Sequence, residues 1–158
     1  MNQLPDMKQL LAGQKAKFIK LNEANGNLLD FAQECLFAKQ QIMKNDYIYN
    51  VAQGAPQSLE DAILNVSAIG VSLNPASSHA YLVPREGRIC LDISYRGLVK
   101  LATDSGAIKW AKCELVYTND RFVWKGPVEA PEHEADPFGD RGEIKGGYCV
   151  ASLIFIRS

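Results

Sequence analysis

LDISYRGLVKLATDSGAIK, residues 91–109, decides the fold. Leu91 and Ile93 alternate with Asp92 and Ser94, the period-2 pattern of a strand with one buried face. Leu98, Leu101 and Ala102 then recur at helical spacing, and Gly106 tolerates the left-handed backbone on which helices often end. Ser94 stands where a hydroxyl can cap the free N–H groups of a first helical turn. A strand therefore runs directly into a helix. Arg96, Lys100 and Thr103, at i, i+4 and i+7, fall on a face away from Leu98, Leu101 and Ala102. That face is either solvated charge or a surface for an anionic partner, and within this stretch both readings stay open.

Upstream, AYLVPR (80–85) and RICLDI (88–93) flank Glu86-Gly87, a two-residue link suited to a tight hairpin. Pro84 cannot donate to a ladder, which places it at a strand end or an edge. In APQSLEDAILNVSAIG (55–70), Pro56 blocks backward extension of a helix, Ser58 is expected to cap it with Asp61 three residues on, and Gly70 ends it. Two earlier helices are predicted. One covers 7–24, with Leu10, Leu11, Phe18 and Leu21 apolar, and is broken by Asn22 to Asn27. The next is capped by Asn27 with Asp30 at N3 and runs to about Lys44, with Leu28, Phe31, Cys35, Leu36 and Ile42 in its apolar stripe.

Downstream, Ile108–Tyr117 and Arg121–Trp124 are expected to pair around Thr118-Asn119-Asp120. Residues 126–146, rich in Pro, Gly and acid, read as a long loop, and Gly147–Ile156 as a last strand. That strand stops at Ser158 with no turn residue after it, so the chain is expected to be a fragment. Helices, hairpin, helix, hairpin and strand, with no repeated βαβ unit, make an α+β fold. Residues 1–56 are expected to form a helical oligomerisation region, since they carry more apolar positions than one small sheet needs. Residues 57–158 then form the α+β core.

A chain of 158 residues buries roughly 70% of its unfolded surface, enough for one real core. Its 47% apolar and 22% charged content is ordinary for a soluble domain. No segment approaches the ~20 apolar residues of a membrane span, and the N-terminus lacks the apolar run of a signal peptide. Cys35, Cys90, Cys113 and Cys149 are widely separated, without a C-x-x-C pair, and are expected to be free thiols in a reducing cytoplasm. The net charge is -1, but residues 82–112 carry +3 and residues 113–146 carry -4. Phosphate binding follows the local potential within a Debye length of ~8–10 Å, so the basic segment can serve it.

No phosphate-cradling G-x-x-x-x-G-K-[ST], no G-x-G-x-x-G and no G-x-S-x-G occurs, which argues against ATP-driven action and implies no cofactor. His133-Glu-Ala-Asp136, with His79 or Asp140, offers metal-ligand chemistry, but it lies in an acidic loop without the H-E-x-x-H helix pattern. A Mg-dependent nuclease built on loop 129–143, with Glu129, Glu132, Glu134 and Asp136, would need separated elements converging on one point. It stands as an alternative, beside a purely structural oligomerisation module. What remains is basic residues interleaved with aromatics: Tyr81, Arg85, Arg88, Tyr95, Arg96, Lys100, Lys109, Trp110 and Lys112. Single-strand binders combine a cationic groove with aromatic faces on which bases stack. Tyr95 and Arg96, at a helix start, add free backbone N–H groups. Tyr81 and Trp110 are either core or base-stacking platforms, and Arg85 and Arg88 flank a turn where charge is expected anyway.

SLEDAILNVSAIGVSLNP (58–75), HAYLVPR (79–85), ISYRGLVKLATDSGAIK (93–109), ELVYTNDRFVW (114–124) and DRGEIKGGYCVASL (140–153) resemble, in order and spacing, the RecT family of phage and prophage single-strand annealing proteins. The family's Tyr-Lys/Arg-Gly motif falls on Tyr95, Arg96 and Gly97. The resemblance implies an ATP-independent protein of the bacterial cytoplasm, not an enzyme, that forms rings or filaments. Such a protein binds single-stranded DNA in a basic groove and holds the annealed duplex. It also implies an exonuclease partner and a host single-strand-binding protein, the latter recruited through a C-terminal region expected to be missing from this chain.

Overall fold

The computed structural model describes residues 11–26 and 28–154. The chain divides into two compact units, the first ending at Leu101 and the second starting at Ala102. The start of the predicted first helix, Asn27 and the end of the last strand lie outside the described residues.

In the first unit a 3₁₀ turn (Ala12–Gln14) leads into α1 (Lys15–Ala24), followed by α2 (Phe31–Ile42), α3 (Asp46–Gly54) and α4 (Pro56–Ile69). The α2 stripe of Phe31, Cys35, Ala38 and Ile42 keeps i, i+4, i+7 spacing and packs with Phe18 of α1 and Leu59, Ile63 and Val66 of α4. Leu28 and Leu36, assigned to that stripe from the sequence, are exposed. The cap of α2 is Asp30, whose carboxylate accepts from the Gln33 N–H at 2.8 Å. α3 was not foreseen, although Asn45 caps it by accepting from the Tyr47 N–H at 2.7 Å.

Ser58 does not cap α4, which begins at Pro56. Its hydroxyl donates to the Ala55 carbonyl at 2.6 Å and accepts from the Ile89 N–H at 2.9 Å, joining the helix to the sheet. Gly70 ends α4 at φ 79°, as expected. β1 (Ala80–Arg85) and β2 (Arg88–Ile93) form the anticipated antiparallel hairpin, with φ of 50° at Glu86 and 72° at Gly87. Two buried polar side chains of α2 fix the chain leading into it. Gln41 Nε2 donates to the carbonyls of Leu73 (2.8 Å) and Ala80 (3.2 Å), while its Oε1 accepts from the Leu82 N–H at 2.7 Å. The Glu34 carboxyl accepts from the Leu73 N–H (2.8 Å) and the Ser72 hydroxyl (2.6 Å). Burial pushes that carboxyl above its ordinary 4.5, against the pull of those two bonds.

After α5 (Tyr95–Asp104) come β3 (Ile108–Tyr117), β4 (Arg121–Val123), β5 (Glu132–Glu134) and β6 (Ile144–Leu153). The predicted β3–β4 hairpin does not form. β3 pairs antiparallel with β6, and β4 pairs with β5, which lies inside the expected loop. Length explains the exchange: only β6 offers ten residues to a ten-residue strand, whereas β4 has three. The Thr118 and Asn119 N–H groups bond the carbonyls of Glu143 and Arg141, closing the end of the ribbon.

The thiol expectation is half corrected. Cys35 and Cys90 stay outside any disulfide, but Cys113 and Cys149 face each other in register and form a disulfide between β3 and β6. Their 36-residue separation hides the pairing from any reading of spacing. Val116 is the one buried apolar residue of the second unit among the described residues. No described helix is long and apolar enough to cross a membrane.

Candidate nucleic-acid interface

The start of α5 is built as the sequence suggests. The Ser94 hydroxyl accepts from the Gly97 N–H at 3.1 Å and donates to the Ser78 carbonyl at 2.7 Å, and the Ser94 N–H bonds the His79 carbonyl at 2.9 Å. One side chain thus caps the helix and ties it to the segment before β1. Gly97 is buried because nothing larger fits: a Cβ there would collide with the His79 carbonyl oxygen and come within 2.7 Å of Ile93 Cγ2. With Gly97 pressed inward, Tyr95 and Arg96 are turned to solvent. Arg96 Nε donates to the Tyr95 hydroxyl at 3.1 Å, and its guanidinium carbon lies 5.8 Å from that ring's centroid. A cation and an aromatic face are thereby presented together. Leu98, assigned to the apolar face of this helix, is exposed instead, while Leu101 packs against the core. Lys100 is half-buried.

On the hairpin, Tyr81 is exposed (39%), which removes the core reading and leaves its ring accessible. Arg85 pairs with Asp92 at 3.0 Å and Arg88 approaches Asp61 at 4.0 Å, all four at the surface. Both arginines line an open groove of about 520 Å³ between α4 and the hairpin, with Ser58 and Asn65 on its floor and walls. Exposed ion pairs contribute about 0–1 kcal/mol, so either guanidinium can exchange its carboxylate for a phosphate at little cost.

In the second unit Trp110 is half exposed (50%), again against a core role, and Lys109 and Lys112 are exposed on the same strand. Lys112 Nζ bonds Glu114 at 2.6 Å, which lowers the Glu114 carboxyl and raises the Lys112 ammonium from their ordinary values. The seven basic and aromatic residues expected on the DNA surface, with Tyr81 and Trp110, are thus distributed over both units. Arg85 and Arg88 share one groove and Tyr95 and Arg96 one helix start, while Lys109, Trp110 and Lys112 share one strand.

The acidic loop is organised differently from a metal site. His133 Nε2 lies 2.8 Å from Asp120, and its Nδ1 lies 3.1 Å from the Tyr148 hydroxyl. Arg141 donates to both Asp120 oxygens, at 3.0 and 2.7 Å, and the Tyr117 N–H adds a bond at 2.9 Å. These donors, Arg141 foremost, hold the Asp120 carboxyl far below the usual carboxylate range although its side chain is buried. Phe122 and Tyr148 meet the histidine edge-on and each other at a tilt, with ring centroids 5.5 to 5.8 Å apart. Glu132 and Glu134 pair with Lys125 and Arg121. Among the described residues no three His, Cys, Asp or Glu side chains converge as metal ligands. The sequence reading singled out His133 but not its partners. Asp120 lay in a turn and Arg141 in a loop, and only the β3–β6 pairing brings them together.

No curated protein matches the chain. The sequence does match the family model described as the RecT family, over residues 33–154. That span contains β1 to β6 and the helices from α3 to α5, with Tyr95, Arg96 and Gly97 at its centre. The chain belongs to the RecT family.

Proposed function

We propose that this chain binds single-stranded DNA and anneals complementary strands without nucleotide hydrolysis, working as an oligomer. RecT-family proteins anneal single strands in recombination. The observation that carries the reading here is the α5 start, where Gly97 is held against the His79 backbone so that Tyr95 and Arg96 face solvent together. Cationic side chains would hold the first strand by its phosphates, aromatic faces would support its bases, and pairing with the complement would supply sequence recognition. No covalent bond changes, so no catalytic residue is assigned. Residues 1–56 supply self-association in this reading, and Leu36, Met43 and Tyr47, all exposed on or beside the helices, support it.

Labelled complementary oligonucleotides mixed with the protein, without ATP, test it. The pairing rate should rise, and Arg96→Ala should lower that gain. An unchanged rate at saturating protein would exclude annealing by this chain.

A further inference from the structure

We propose that Cys113 and Cys149 form a reversible redox latch that holds the Lys109–Lys112 end of β3 in strand geometry. The β3–β6 ribbon is fastened unequally along its length. Its closed end is fixed by Asp120, Arg141 and His133, with Tyr148 of β6 opposite Glu114. Its open end, Ile108 to Lys112 against Val150 to Leu153, carries Lys109, Trp110 and Lys112 and contains a register shift between Ile108 and Trp110. The disulfide lies between these ends, one residue beyond Lys112.

Two-stranded ribbons are marginal in water unless something covers or ties them. At the open end Trp110, Leu153 and Ile154 are exposed, so little buried apolar surface holds the strands together there. Cys113 and Cys149 are exposed too, so a reductant can reach their bond.

The chemistry is thiol–disulfide exchange. A dithiol attacks one sulfur, the Cys113–Cys149 bond breaks, and the dithiol closes to its own disulfide. Two electrons and two protons pass to the protein as two thiols. A small-molecule disulfide reverses the step and leaves as two thiols. Reduction frees the open end to fray, and with it the strand geometry that carries Lys109, Trp110 and Lys112.

The effect on DNA rests on the annealing function proposed above, so the test reads the ribbon and the DNA separately. Intact mass with thiol alkylation establishes the redox state, in a Cys35→Ser/Cys90→Ser background that excludes other thiols. Amide exchange over residues 107–112 and 150–154 should be slow in the oxidised protein. It should speed up at least tenfold with dithiol, and stay fast in Cys113→Ser whether dithiol is present or not. Equal exchange in both redox states, or two alkylated thiols after oxidation, overturns the latch. Affinity for an oligothymidylate should fall about tenfold on reduction, roughly the loss of one stacked base, and should not respond to dithiol in Cys113→Ser. Unchanged affinity alongside faster exchange overturns the link to DNA. A protein that binds no DNA when oxidised refutes the annealing reading instead, and the exchange measurement still decides the latch.

Discussion

Phe18, Ile42, Leu59 and Ile63 close the first unit around a largely apolar centre, whereas the second unit buries Val116 and otherwise relies on Asp120, Arg141, His133 and a disulfide. Water expulsion holds the former and depends little on salt or redox state, with the buried Glu34 as its pH-sensitive group. Ionised and covalent ties hold the latter, and each answers to a solution variable. Of the candidate DNA contacts, Arg96 lies in the first unit and Lys112 in the second, so the two should respond differently to conditions.

The largest expected effect tests the first half of that contrast. Phe18→Ala should cost about 3–5 kcal/mol in chemical denaturation, because a fully buried ring leaves a cavity. Val116→Ala should cost only about 1.5 kcal/mol, the transfer free energy of the lost carbons. Equal losses would mean that the second unit has a core after all. Gly97→Ala should come next, at about 1–3 kcal/mol, since the new methyl must displace α5 from the His79 carbonyl. It removes no charge, yet single-strand affinity should drop with stability, as measured by fluorescence anisotropy.

Acid should move the two units in opposite directions. Asp120 titrates lower in the folded chain than its ordinary 3.8, so its contribution is complete above that value and is lost as pH falls below it. Glu34 titrates higher than its ordinary 4.5, so it favours folding most in acid, and that advantage disappears as pH rises through 4.5 to its folded value. Melting temperature followed from pH 7 to pH 3 should decline less steeply in Asp120→Asn than in the parent. Glu34→Gln should lose the part of the profile that favours acid. The smallest effect separates charge from fold. Arg96→Ala and Lys112→Ala should each reduce the salt slope of single-strand binding by about 0.7, with stability within about 0.5 kcal/mol of the parent. Lys112→Ala also leaves Glu114 unpaired beside the DNA, so its affinity loss should be the larger of the two.

Local chemistry was legible where it is self-contained. The Ser94 cap, the Glu86-Gly87 turn and the Gly70 stop all follow from residues within four positions of one another, and all are present. The misses share one physical origin. A strand's alternation states that it needs a partner and not which one, so β3 was matched to its neighbour β4 when β6 lies beyond a 26-residue excursion. The disulfide and the approach of Arg141 to Asp120 depend on that pairing, and His133 on the unforeseen β4–β5 pairing, so the cluster was lost with both. Ser58 carried a correct chemical signal and a wrong assignment: its hydroxyl serves the backbone, but the decisive N–H is that of Ile89, thirty-one residues away. At the candidate site, residue types were legible, whereas exposure of Tyr81 and Trp110 was not, since an aromatic in a strand reads the same on either face.

Gln41 has a consequence for behaviour in concentrated solution. Among the described residues β1 has one lateral side unpaired with any strand, and on that side the Leu82 N–H is already taken by the Gln41 amide while Pro84 has none to give. On the far side of the hairpin, Ser58 takes the Ile89 N–H. A strand deprived of donors is a poor template for a foreign chain. Fibril-type growth, the standing hazard of short sheets with open flanks, therefore finds fewer donors at this hairpin because of one glutamine, one serine and one proline.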